Sequence, residues 1–377
     1  MTPPREFEGK SKLCGKVAKR CTNAYIYLNI DYESHLMILM SKSIKINGIV
    51  AEKGTKKSSF IKIGKGLVTS TEIPVTIING YEDGPTLCVT AGTHPCEFPG
   101  VAAITKLCGQ IKPEELKGAI IAVPFINKRG FQNRTSYVNP IDNLNIEAVY
   151  PGKQDGSSSE IIAYTVLEEI VKKADYAIDC HGGDLDEMMY NNTHCPRIGD
   201  KKIDRASEAL ARIFGLEYIC LSLPKPNSTN RTIESAKRGV PAIQTEVGSV
   251  GMLRKIDVDT VYTGITNVMK YLNMMNGRPK ITVRQKLVES ISRISPESEG
   301  IFIPTVDLGE TVIKGQKIGE IFDVQGVTTD EIISPCDGVV RKIFTYQAVR
   351  PNRTVFEIFV SPKPVSSFPE IDPFYQA

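Results

Sequence analysis

The chain has 377 residues, 41% of them hydrophobic and 24% charged, and its net charge of +3 is too small and too scattered to imply a nucleic-acid partner. A chain of this length outgrows one core, so a large domain with a smaller one is expected, and no run approaches the roughly 18 apolar residues of a membrane helix. Nine cysteines with no Cys-x-x-Cys pair indicate neither a disulfide framework nor a thiolate zinc cluster, and fit a reducing cytoplasm.

Residues 1–39 start basic and continue through YIYLNIDYESHLMILM, whose internal charges make a poor signal peptide; they are expected to be an extension outside the fold. From about residue 84, short β-branched runs alternate with helical stretches, the pattern of an α/β sheet with crossover helices. Strands are predicted at 85–92 (PTLCVTAG), 118–125 (GAIIAVPF), 175–180 (DYAIDC) and 240–248 (VPAIQTEVG). Helices are predicted at 99–109, 158–174 and 205–215, the second capped by Ser158 or Ser159 and the third ended by Gly215. Residues 126–157, rich in Asn, Pro and Gly, read as a long loop of the kind that carries function.

Past residue 280 the helical period gives way to short strands between Gly, Pro and Asp turns. A main domain over 40–283 and an all-β, barrel-like domain over 284–365 that lids it are therefore expected. The segments LGETVIKGQKIGEI and ISPCDGVVRKI resemble the halves of a biotinyl or lipoyl carrier-type barrel. The hairpin that would present a modified lysine reads VQGVTTDE, so no carrier role is predicted.

In AGTHPCEFPG, His94 and Glu97 directly follow a predicted strand, where the carboxyl edge of an open sheet forms its binding crevice. His181, in DCHGGD, and Glu246, in QTEVGSVG, sit at the ends of two other strands, so four residues from distant segments converge on one edge. Two imidazoles and a carboxylate make a three-ligand zinc set that leaves a fourth position for water, the pattern of catalytic sites. Asp179, two before His181, is a candidate to orient that ligand, and Glu246 is the carboxylate to take a proton from water. Cys96 and Cys180 flank the ligands, but a thiol nucleophile needs a histidine base, and both nearby histidines serve better as ligands. His35 and His194 read as surface or packing residues.

The ordered set GTHPCEFPG, NKRGF, RTSYVNPIDNLN, YPG, DCHGG and PAIQTEVGSVG resembles the succinylglutamate desuccinylase/aspartoacylase family, a resemblance that covers roughly residues 45–360. The resemblance implies an α/β fold, an open mixed sheet flanked by helices as in zinc carboxypeptidases, with a C-terminal β-domain over the active site. It implies one Zn2+ per chain on His94, Glu97 and His181, Glu246 as general base and acid, and hydrolysis of the amide bond of a small N-acylated amino acid or amine. The partner would be that small molecule, with neither nucleic acid nor membrane, and a homo-oligomer is compatible with it.

Three positions depart from the family's pattern. Glu147-Ala148 stand where an Asn-Arg pair usually precedes the Tyr-Pro-Gly end of the loop, and Ser136 stands for an arginine, with Arg134 two residues earlier. Such arginines clamp a carboxylate and stabilise an oxyanion. Their replacement assigns Arg134 to the oxyanion, and Glu147 with Asn145 to a substrate bearing a cationic group such as a free amine. The alternatives are a carboxypeptidase-like peptidase, ranked lower because its carboxylate-binding arginine is absent, and a metal-binding protein with little activity.

Overall fold

The computed structural model describes residues 43–64, 71–225, 230–281 and 283–365, and those from Ile44 onward form one compact unit. The expected N-terminal extension and His35 lie outside the described residues. A ten-stranded mixed sheet spans the main part. Its order is Lys363–Pro364, Lys286–Val288, Tyr218–Ser222, Asn192–Pro196, Ala242–Glu246, Tyr176–His181, Glu82–Ala91, Lys117–Val123, Thr71–Asn79 and Thr55–Ile63.

Strand alternation builds a core on each face. Leu87, Val89, Ile120, Ile178 and Ile243 pack against the helices Phe98–Gln110, Lys201–Phe214 and Lys255–Tyr271. Cys88, Ile121, Ala177 and Ala242 point the other way, toward Ile162, Val166 and Leu167.

The helix predicted from 158 does start there, but its cap is Ser157, in a reciprocal capping box with Glu160, rather than Ser158 or Ser159. It continues as a π-helical turn over Thr165–Ile170. The helix expected at 205 begins earlier, at Lys201, because the Asp200 side chain accepts from the backbone N–H of Lys202 and Ile203. It ends as expected at Gly215, in the left-handed region at φ 97°.

The C-terminal strands form two sheets around one core that includes Phe302, Ile321, Phe356 and Ile358. Strands are exchanged with the main part. Lys286–Val288 and Lys363–Pro364 join the large sheet, while Glu187–Met189 pairs antiparallel with Gly338–Phe344 of the C-terminal sheets. Arg341 and Glu357 make a buried ion pair at this junction, and Arg341 Nη2 donates to His194 Nε2 at 3.2 Å. His194 is thus a bridge between the two parts, and burial together with Arg341 presses its pKa down to about 3.

Replacing Arg341 with Met is expected to cost about 3 kcal/mol, because Glu357 would keep a buried charge offset only by the exposed Arg293 and the positive charge of Lys342. A shift of the denaturant midpoint at unchanged slope would show it; an unshifted midpoint would mean that the pair contributes nothing.

Candidate metal and catalytic site

The four strands Ala242–Glu246, Tyr176–His181, Glu82–Ala91 and Lys117–Val123 run parallel. After Glu82–Ala91 the chain crosses through the helix Phe98–Gln110 to one side, while Tyr176–His181 lies on its other side. This divergence opens a crevice at the carboxyl ends, the usual ligand position in such sheets. His94 lies in the turn leaving Glu82–Ala91, Glu97 is the residue before the helix Phe98–Gln110, and His181 ends its strand.

Glu246 is the cross-strand partner of His181. The glycine after His181 allows a close approach: a Cβ on Gly182 would lie 2.4 Å from the carbonyl oxygen of Val247, beside Glu246.

The three proposed ligands meet. His94 Nδ1 is 2.8 Å from Glu97 Oε1, His181 Nδ1 is 3.0 Å from Glu97 Oε2, and the two Nδ1 atoms are 3.3 Å apart. Their partners on the far side set the tautomers. His181 Nε2 lies 3.1 Å from Asp179 Oδ2, an acceptor, so Nε2 carries the proton. His94 Nε2 lies 3.3 Å from Asn145 Oδ1, which is identified as the oxygen because it also accepts the Glu147 backbone N–H at 2.8 Å. In its neutral form each ring therefore turns its Nδ1 lone pair to the same carboxylate.

A cation resolves that arrangement. Two imidazole nitrogens and one carboxylate are a donor set suited to zinc, and the residues present fit it. Glu147, Asp179 and His181 form a second cluster of potential ligands, but Arg231 already neutralises Asp179 through contacts of 2.7 and 2.6 Å.

Electrostatics repeats the geometry. Burial opposes ionisation of Glu97, yet His94 and His181 outweigh it and hold the carboxyl down at about 2. Burial likewise disfavours protonation of His181, but Asp179 and Glu97 outweigh it and raise its pKa; Glu97 does the same for His94. The raised pKa values favour a proton on each ring, and a metal must displace it. Zinc uptake is expected to release protons, and the affinity to fall as pH drops from 8 to 6, by about tenfold per unit for each proton displaced. Calorimetric titration in buffers of different ionisation enthalpy measures this, and a pH-independent affinity would contradict it.

Glu246 is shifted the other way. Burial and the negative Glu97 raise its carboxyl to about 7, against the opposing pull of His181 and Arg341. Its Oε1 accepts from Gln244 Nε2 at 2.8 Å.

The loop expected between 126 and 157 holds short elements of its own, including the helix Lys128–Asn133 and a 3-10 turn at Ile146–Val149. Arg134 lies just after that helix, exposed and left-handed at φ 55°. Asn145 is placed against His94, and Glu147 accepts the backbone N–H of Arg231 at 3.0 Å. Three residues that sequence reasoning passed over also shape the site. The Tyr137 ring centroid is 5.1 Å from that of His94, and buried Asp184 accepts from Ser136 Oγ at 2.9 Å and from the Tyr137 N–H at 3.2 Å. Arg231 is the third, and the only nearby signal for it was Asn230, a ready helix cap. Cys96 and Cys180 are thiols whose burial pushes them up to about 11 and about 12, unsuited to a nucleophile.

Residues 83–272 match the succinylglutamate desuccinylase/aspartoacylase catalytic domain. The chain belongs to this family. Among its relatives, N-alpha-acetyl-L-2,4-diaminobutyric acid deacetylase of Halomonas elongata is 27% identical over 278 residues, 71% of this chain and 80% of the relative. A succinylglutamate desuccinylase/aspartoacylase from Rhodobacter sphaeroides superposes with a TM-score of 0.74 at 24% identity, covering 83% of this chain and 96% of its own. The ectoine utilization protein EutE (DoeB) of Ruegeria pomeroyi, in a product-bound structure, gives 0.76 at 22% identity over 85% and 99%. These two likenesses establish the family fold: an α/β sheet flanked by helices with strand-rich C-terminal sheets.

Proposed function

We propose that this family member is a zinc-dependent hydrolase that cleaves the amide bond of a small N-acylated amine or amino acid. The observation that carries it is the convergence of the His94 and His181 Nδ1 atoms and the Glu97 carboxylate beside a buried carboxyl poised near neutrality. When bound, zinc polarises a carbonyl and lowers the pKa of water to about 7.

The chain's own residues supply the rest. With Oε1 held by Gln244, Glu246 has Oε2 to accept a proton from the attacking water and to return it to the departing nitrogen. A pKa near 7 suits both transfers, since each protonation state is populated at the working pH. Arg134, exposed on its loop, is the residue assigned to the oxyanion.

Asn145 and Glu147 are assigned to the substrate side. The relative from Halomonas elongata is named for a substrate whose second amine is free, and Glu147, on the same loop as Asn145, offers a carboxylate to such a cation. The described cysteines are free thiols, which supports a reducing, cytoplasmic setting.

Amine release from zinc-loaded protein, over a panel of N-acetyl and N-succinyl amino acids and N-acetylated diamines, tests this reading. Turnover is expected, with the N-acetylated diamines or diamino acids preferred over their acidic counterparts. No release from any member would favour the non-catalytic metal-binding alternative, and release from peptide C-termini alone the peptidase.

A further inference from the structure

Arg231 is 1% exposed, among the largest fully buried side chains of the described residues. Its guanidinium grips Asp179 with two nitrogens, Nε at 2.7 Å from Oδ2 and Nη2 at 2.6 Å from Oδ1, and Nη2 also donates to Thr90 Oγ1 at 2.7 Å. Thr90 in turn donates to Asp179 Oδ1 at 2.9 Å. A buried ion pair adds little net stability over an apolar pair of the same shape, so stability alone does not account for this one. Its geometry does. A bidentate grip fixes the plane of the carboxylate, and Oδ2, one of the gripped oxygens, is the atom that faces His181 Nε2 at 3.1 Å.

We infer that Arg231 is a positioning residue for the metal site: by fixing Asp179 it fixes the ring of His181, with Nδ1 turned to the ion. The inference rests on the zinc-site reading above. The neighbouring Asn230 extends the same device toward the base. Its side chain caps the helix Arg231–Lys237 and donates to Gln244 Oε1 at 3.3 Å, and Gln244 is the residue that holds Glu246. The first residues of one short helix thus stand behind both the ligand and the proton acceptor, although neither Asn230 nor Arg231 touches the converging Nδ1 atoms.

The test is zinc affinity by chelator competition, with the ring-nitrogen NMR signals of His181 as second readout, in the wild type, Arg231→Met and the double variant Arg231→Met/Asp179→Asn. Arg231→Met is expected to bind zinc about 10- to 100-fold more weakly, the usual effect of losing support behind a ligand, with the His181 signals broadened or shifted. Should the single variant fold poorly because Asp179 is left charged and buried, the double variant removes that charge. It is expected to fold and still bind weakly.

Wild-type affinity in Arg231→Met, or in the folded double variant, would overturn the inference and leave Arg231 a packing residue. A wild type that binds no zinc would instead overturn the site reading, and this inference with it.

Discussion

Glu246→Gln is expected to lower turnover by about 10²- to 10⁴-fold, the range that a positioned proton acceptor contributes, while leaving zinc bound. The glutamine keeps the shape and the neighbourhood of Gln244 but can take no proton. The same change is expected to stabilise the metal-free fold. Glu246 ionises near 4.5 in an unfolded chain and near 7 when buried, so the folded state holds its proton more tightly and loses stability as pH rises from 4.5 to about 7. That difference corresponds to on the order of 3 kcal/mol above pH 7, which the neutral glutamine relieves. Below pH 4.5 the two proteins should unfold alike. A variant that turns over normally would remove Glu246 from the chemistry, and one that is less stable at pH 8 would mean that its carboxylate is paired in the fold.

His181→Ala is expected to reduce zinc affinity by about 10²-fold or more. Four-ligand structural sites bind with about 10–16 kcal/mol, or roughly 3 kcal/mol per ligand, and His181 is one of the three ligands proposed here. The loss should exceed that of Arg231→Met, because the nitrogen itself disappears rather than its support. Zinc retention at wild-type affinity would mean that the ion sits elsewhere. Glu97→Gln offers a parallel case, since it removes the one carboxylate that both rings face.

The four residues that carry the site were legible because each follows a strand whose pattern is unambiguous. DYAIDC and PAIQTE are short, apolar and bounded by glycine or proline, so the residue at each end is placed at a sheet edge by local rules alone. Arg231 was not legible, because NRTIESAKRG reads as a charged helix start, and its complete burial exists only once Thr90 and Asp179 are brought beneath it. Asp184 is hidden for the same reason, its partners Ser136 and Tyr137 lying in a loop far off in sequence.

In the fold, the helix Lys255–Tyr271 escaped notice because KIDVDTVYTGITNVMKY is rich in β-branched residues. Its helix is held by packing against Phe98–Gln110 and Lys201–Phe214 rather than by propensity. The exchange of strands between the two parts was equally invisible. The 283/284 boundary follows a change in composition, whereas Lys286–Val288 pairs by its place beside Tyr218–Ser222.

The most direct test is to strip the protein of metal and add zinc back in steps while following amine release from its preferred substrate. No release is expected without metal, and then a linear rise that breaks at one zinc per chain, absent in Glu246→Gln at every step. Release that persists in the stripped protein, or that is indifferent to added zinc, would contradict zinc dependence.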